Sequence, residues 1–370
     1  MERPRIKRSR APYRTDDRAA VRLGGLYGRA YELPDPSGTL WRLLSAMDGT
    51  RTLHELAAHV RQVFPTVRLD DVVTAVEQLQ EHGLLVDAAE GAPADFTPAE
   101  RTLYDKGRQL LEWADTQPRT SAWETQRLLR AARVTLVGLG GTGCAAATAL
   151  AASGVGRLRL IDPDTVEAGN LGRQLLYRPA DVGWPKADAA VVRLEEINPH
   201  ISLTGCVRAL TTREEFVDAL DGCDLLVVCA DQPEGLQAKV NLAALDTGTA
   251  WVDSGYHGPQ IAAALYVPGS GPCWSCLRYA DAGRLQLPRE EEAFLRALPK
   301  VPGNPASPVT AGMSGNWAAH LAIAHLTGAF PYAPGTPYGT RLLQPEAPLH
   351  VTYPRQDACP ACSRPGVGVS

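Results

Sequence analysis

The sequence predicts an α/β protein: a large domain of alternating strands and helices, preceded by a small winged-helix-like domain. Three observations carry this. From residue 133 to about 345, apolar runs of strand length alternate with helical patterns, as in a sheet covered by helices. At Gly138-Leu139-Gly140-Gly141-Thr142-Gly143 an apolar strand turns through G-x-G-x-x-G into a helix. Two CxxC pairs, Cys273/Cys276 and Cys359/Cys362, bracket the second half of the region, and such pairs build closed tetrahedral metal sites.

Composition agrees. The chain has 370 residues, 45% apolar and 21% charged, the balance of an ordinary folded protein and not of a disordered or collagen-like one. With 37 basic and 41 acidic residues the net charge is −4, so general binding of polyanions is not expected. No apolar run approaches the roughly 18 residues that cross a bilayer. The basic N-terminus (Arg3, Arg5, Lys7, Arg8, Arg10, Arg14) has no apolar block after it and is not a secretory signal. Residues 1–19 read as a disordered basic arm, and the expected location is cytoplasmic, with no membrane contact. Half of the eight cysteines lie in the CxxC pairs, which in a reducing compartment favours metal over disulfides.

Residues 20–92 form the small domain. Val21 to Leu33 alternates around Gly24-Gly25 and reads as a hairpin. Ser37 is the expected cap of a helix carrying Leu40, Trp41, Leu44 and Met47, stopped at Asp48-Gly49. Thr52 and Glu55 make a capping box, and Leu53, Leu56, Ala57, Val60 and Phe64 share the next helical face. Asp70 is the expected cap of a third helix with Val72, Val73, Val76 and Leu79 inward. Gly83 ends it before a closing strand at Leu84-Leu85-Val86. Between Leu69 and Glu90 there are six acids and no lysine or arginine, so this is no DNA-recognition helix, which must neutralise phosphates. The stretches LWRLLSAMDGTRTLHELAAHV and VVTAVEQLQEHGLLV resemble PqqD-like leader-recognition elements. That resemblance implies a precursor peptide as partner, its leader bound as an added strand beside a helix. A small interaction or dimerisation domain is the alternative.

Residues 93–132 read as a helical linker, with helices at Ala99–Trp113 and Ser121–Ala132 between proline breaks. The strand Val134–Val137 then feeds the glycine turn, whose Gly138, Gly140, Gly141 and Gly143 let backbone approach phosphates at a helix N-terminus. A second strand, Leu158–Ile161, ends at Asp162, 24 residues after Gly138, close to the spacing of an acid on a ribose hydroxyl. Arg173 and Lys186 supply charge against a triphosphate, and Asn170 a neutral donor. Asp231 follows the strand Leu225–Cys229, at the carboxyl end where open α/β sheets bind ligands, and its oxygens suit Mg²⁺.

The ordered set GLGGTG, DPDTVEAGNLGRQ, GWPKAD, INPH and CADQ resembles the ThiF/MoeB-type adenylyltransferases, the ubiquitin-activating-enzyme-like superfamily, over roughly residues 133–362. The resemblance implies a Rossmann-like domain that binds ATP and Mg²⁺ through those glycines with Asp162, Asp164, Asn170, Arg173, Gln174, Lys186 and Asp231. Arg173, Lys186 and Asp231 would be catalytic in forming an acyl-adenylate and pyrophosphate. It also implies a homodimer in which an arginine upstream of the glycine turn reaches the partner's nucleotide. Arg108, in Tyr104-Asp105-Lys106-Gly107-Arg108-Gln109, is the candidate and Arg119 the fallback. Gln232 departs from the family, which has Asn after the strand-end aspartate.

The four CxxC cysteines are expected to hold structural Zn²⁺, tying the C-terminal end to the domain; a redox CxxC lacks its βαβ context. Residues 277–358 contain no cysteine, so no thioester nucleophile is expected there. Cys144, Cys206, Cys223 and Cys229 read as small core residues. The loop Arg284–Pro308, with Glu290-Glu291-Glu292, reads as a solvated charge run, and 363–370 as a frayed tail. The whole chain then reads as an adenylyltransferase of ribosomal-peptide natural-product biosynthesis, similar to the microcin- and pantocin-type ThiF enzymes, activating a carboxylate or amide of its peptide. The alternatives are a non-catalytic leader-binding partner of a YcaO-type cyclodehydratase, and an activator of a sulfur-carrier protein.

Overall fold

The structure, a computed structural model, describes residues 1–25, 30–91, 93–298 and 304–363. Residues 364–370 of the expected tail and 299–303 of the proline-rich loop lie outside that description. The chain divides into two units, Met1–Arg127 with Thr327–Phe330, and Leu128–Leu326 with Pro331–Ser370.

The first unit opens with β1 (Pro4–Ile6), β2 (Pro12–Arg14), β3 (Ala20–Gly24) and β4 (Ala30–Pro34). It continues with α1 (Thr39–Ala46), α2 (Leu53–Arg61), α3 (Leu69–Glu81), β5 (Leu85–Asp87) and α4 (Pro98–Ala114). Strands β2, β3 and β4 form an antiparallel sheet in that order, and β1 pairs with β5. Val21, Leu23, Leu44, Leu56, Val60, Val72 and Leu85 share one core.

Three expectations are corrected here. The N-terminal arm is ordered: Pro4 and Ile6 stand opposite Asp87 and Leu85, and Lys7 is 1% exposed, its ammonium donating to the Asp115 carbonyl at 2.9 Å. A basic run is solvated only until one of its charges finds an acceptor, and Ile6 supplies the apolar anchor. The N-cap of α1 is Gly38, and the orphan amides are shared: Ser37 Oγ accepts that of Thr39 at 3.2 Å, while the Asp35 carboxylate accepts those of Leu40 and Trp41 at 3.0 and 2.8 Å. Helix α3 begins before Asp70, and Asp71 accepts the Arg68 amide at 2.8 Å. The Thr52–Glu55 capping box forms as expected. The segment read as a linker supplies α4 to the first unit, with Phe96, Tyr104 and Leu111 buried.

Helix α5 (Glu124–Ala131) leads into the second unit. There β6 (Arg133–Val137), α6 (Gly141–Ala152), β7 (Arg157–Ile161), α7 (Lys186–Ile197), β8 (Ser202–Cys206), α8 (Arg213–Leu220), β9 (Leu225–Val228) and α9 (Leu236–Thr247) alternate. Then come β10 (Ala250–His257), β11 (Gln260–Tyr266), α10 (Trp274–Leu285), α11 (Glu291–Ala297), α12 (Pro308–Thr327), β12 (Pro337–Arg341) and β13 (Leu349–His350). They build one eight-stranded sheet, ordered β13-β12-β11-β10-β9-β6-β7-β8. Strands β6 to β10 run parallel, and β11 to β13 extend the sheet antiparallel. The inner strand β9, LLVV, is buried throughout, as a strand covered on both faces must be. The chain steps outward from β6 to β8, then returns to β9 on the other side of β6. The crevice between the ends of β6 and β9 is therefore the topological switch point, where such sheets bind ligands.

Among the described residues no helix is long and apolar enough to cross a membrane.

Candidate functional site

The glycine turn fills one side of the crevice. Gly138 has φ 92°, and a Cβ there would lie 2.8 Å from the Ala230 amide nitrogen after β9, so only glycine fits. A Cβ on Gly143 would strike the Gly138 carbonyl, and one on Gly141 would lie 2.7 Å from Ala311 Cβ. Gly140 is the N-cap of α6, and a Cβ there would come no closer than 4.0 Å to Gln174 Nε2. The turn thus presents bare backbone at a helix N-terminus, the arrangement that receives phosphate.

Asp162 lies at the end of β7 and is 4% exposed. Its two oxygens accept the amides of Leu139 at 2.5 Å and Asp164 at 2.9 Å. Burial pushes its pKa above the ordinary carboxylate value, against the pull of those two donors. Here it holds the glycine turn in shape. Tyr177 packs beneath the turn, its hydroxyl 3.1 Å from the Leu139 carbonyl and 3.3 Å from that of Lys186.

Beside the turn opens a cleft of about 430 Å³ lined by Asp164, Glu167, Asn170, Arg173, Gln174 and Lys186. Lys186 opens α7, is 6% exposed, and pairs through Nζ with Asp164 at 2.8 Å. Asn170 accepts the Glu167 amide at 3.1 Å. Gln174 is 2% exposed, and among the described residues its Oε1 accepts no hydrogen bond. Arg173 donates to the Gly169 carbonyl at 3.1 Å. Burial raises the Tyr256 pKa, with Arg173 opposing the shift and Asp231 adding to it. Tyr256 escaped the sequence reading because an aromatic at a strand end looks like packing.

Arg108 and Arg119 are held inside the first unit. Arg108 pairs with Glu112 at 2.9 Å and Asp105 at 3.3 Å and lies 5.1 Å from the Trp123 ring. Arg119 pairs with Asp115 at 2.8 Å and Glu124 at 3.1 Å and donates to the Thr327 carbonyl. An arginine reaching a partner subunit from either position would first have to leave these pairs.

The four CxxC sulfurs converge. Cys273 lies 3.9 Å from Cys276 and 3.7 Å from Cys359, and Cys276 lies 3.5 Å from Cys362. All four ligand atoms lie within 4.8 Å of one another and are buried. A tetrahedron with metal–sulfur bonds of about 2.3 Å has edges of about 3.8 Å, so the residues fit a zinc ion. Asn241 Nδ2 approaches Cys273 Sγ at 3.7 Å and the Gln356 amide approaches Cys276 Sγ at 3.4 Å. Such outer donors orient ligands and temper thiolate charge. Elsewhere, burial pushes the Cys144 thiol up to about 12 and the Cys229 thiol well up, so neither is a ready nucleophile.

Comparison with known proteins places these features. The profile described as the ThiF family matches residues 107–360. Ubiquitin-like modifier-activating enzyme 5 of Oryza sativa subsp. japonica is 35% identical over 202 residues, covering 49% of this chain and 48% of its own. Molybdopterin-synthase adenylyltransferase of Escherichia coli (strain K12) is 39% identical over 161 residues, 42% of this chain and 62% of its own. The chain spans about half the length of the first of these relatives. Among solved structures, E. coli MccB with AMPCPP and MccA superimposes over 98% of this chain and 100% of its own, with a TM-score of 0.71 and 19% identity. The same protein, described as a microcin C7 biosynthetic enzyme, was solved with N-formylated MccA. That likeness shows a shared fold.

Proposed function

Because the chain belongs to the ThiF family, we propose that it is an ATP-dependent adenylyltransferase that activates a ribosomally made precursor peptide. The observation that carries the reading is the cleft beside the glycine turn, lined by Lys186, Arg173 and Asn170; Asp231 follows β9 at the switch point and is not among the residues lining that cleft. The α6 N-terminus and the two cations would neutralise the phosphates, and Gln174 has an acceptor to spare. Asp231 would hold Mg²⁺, which supplies charge neutralisation on the phosphates. Catalysis of this kind is positioning and electrostatics. A substrate carboxylate oxygen attacks the α-phosphorus, the α–β bridge breaks, and an acyl-adenylate and pyrophosphate result.

The first unit is read as the peptide's holder. Strand β4 is an edge of its sheet, and Tyr31 on it meets His82 at the end of α3 edge-to-face. An extended peptide can add to such an edge with its side chains beside the helix. MccB, solved with MccA, supports a peptide partner. A homodimer and structural zinc in the Cys₄ cluster belong to the same proposal.

Isotope exchange between ATP and pyrophosphate, run with each short peptide encoded beside the gene, tests it. One peptide should support exchange, and Asp231→Ala should reduce it at least about 100-fold. Tight peptide binding with no exchange would favour the non-catalytic partner instead.

A further inference from the structure

Behind the glycine turn, a chain of buried hydroxyls ties α6 to α12 and β10. Thr142, in the first turn of α6, has its Oγ1 2.7 Å from Ser314 Oγ on α12. Ser314 Oγ also donates to the Ala311 carbonyl, one turn back, at 3.0 Å. The Ser314 carbonyl in turn accepts the Ser254 hydroxyl of β10 at 2.8 Å. Thr142, Ser254 and Ser314 are all buried. The two helices meet here through backbone: a Cβ on Gly315 would strike the Thr142 carbonyl and lie 2.6 Å from Ala145 Cβ, so this close crossing needs glycine.

Proton counting gives the hydroxyl pair a direction. A serine hydroxyl has one proton, and a carbonyl only accepts. With the Ser314 proton on the Ala311 carbonyl, Thr142 is the donor and Ser314 the acceptor. The cap of α6 is Gly140, which brings no side-chain oxygen, so the first-turn amides have no cap acceptor and stay available to a phosphate. The Thr142 hydroxyl is the side-chain oxygen of that turn, and such hydroxyls readily bond nearby backbone groups. Held by Ser314, it is turned to α12 instead, with its proton already committed.

We infer that Ser314 is a positioning residue for the nucleotide: by accepting the Thr142 hydroxyl it locks the first turn of α6 against α12, so that the turn's amides, and not the threonine side chain, meet the phosphates. This rests on the adenylation reading. It adds to phosphate binding a residue 172 positions along the chain from the turn it serves, and it takes Thr142 out of the set of Mg²⁺ ligands.

Calorimetric titration of the full chain with ATP, in Mg²⁺ and in EDTA, and with adenosine tests it without relying on turnover. Ser314→Ala should weaken ATP binding about tenfold, equally in Mg²⁺ and in EDTA, and adenosine binding less than about twofold. Ser314→Cys, whose sulfur is a weak acceptor, should give the same selective loss and serves if the alanine variant does not fold. Thr142→Val should match Ser314→Ala, and combining the two should cost nothing further, because both break one bond. Unchanged ATP binding in Ser314→Ala, equal losses for ATP and adenosine, a loss confined to Mg²⁺, or additive losses in the double variant would overturn the assignment. A parent chain that binds no ATP under either condition would instead sink the adenylation reading itself.

Discussion

Lys186 shows how a single residue divides between folding and chemistry. Its side chain is 7% exposed while that of its partner Asp164 is 63% exposed, so the pair is solvated on one side and contributes at most about 1 kcal/mol to stability. On the adenylation reading, the same ammonium would be one of two cations facing the phosphates, where a preorganised charge is worth roughly 3 kcal/mol. Lys186→Met should therefore lower pyrophosphate exchange about 100-fold while shifting the melting temperature by less than about 4 °C. A large melting shift with a small rate effect would make Lys186 a structural residue. Single residues were legible in the sequence where a motif named them: Asn170, Arg173, Gln174 and Lys186 do line one cleft. Tyr256 and Asn241 were not, because an aromatic near a strand end and an amide on a largely apolar helix both look like packing.

Elements were legible where a periodic pattern was long enough to read. The strands β6, β7 and β9 and the helix after the glycine turn come directly from apolar runs and glycines. The three-residue strands β1 and β2 do not, since Pro4-Arg5-Ile6 is too short to show alternation and its arginine argues for solvent. The 3₁₀ turn Pro179–Asp181 is another such element. It is fixed to α7 by Arg193, which grips Asp181 at 2.6 and 3.0 Å. The Arg193 guanidinium holds the Asp181 carboxyl below its ordinary range, against desolvation. A carboxyl with a lowered folded pKa stabilises above its unfolded value of about 3.9 and loses that contribution as pH falls through the folded value. Asp181→Asn should thus lower the melting temperature by about 5 °C at pH 7. The gap should stay constant down to about pH 4.5 and close only below about pH 4. Thermal melts across that range check it; a gap that changes between pH 5 and 7 would assign the effect to another group.

At the scale of the whole molecule, the sequence showed the order of motifs but not what joins their ends. The parallel half of the sheet carries the cleft, and the antiparallel strands β11 to β13 lead to the cysteines. Cys276 and Cys362 meet across 86 residues, so one bound ion closes a loop that contains α11, α12, β12 and β13. Cross-linking a loop of that length restricts the unfolded chain by about 4 kcal/mol, and folding free energy of this kind is lost when the metal leaves. Chelation, or Cys359→Ser with Cys362→Ser, should lower the melting temperature by about 10 °C. Elemental analysis should find one zinc per chain before and none after. The cleft residues from Asp162 to Lys186 lie outside that loop, so nucleotide affinity at temperatures well below the melt should change less than about threefold. Loss of ATP binding in step with the metal, in a chain still folded, would mean that the ion shapes the cleft as well as closing the loop.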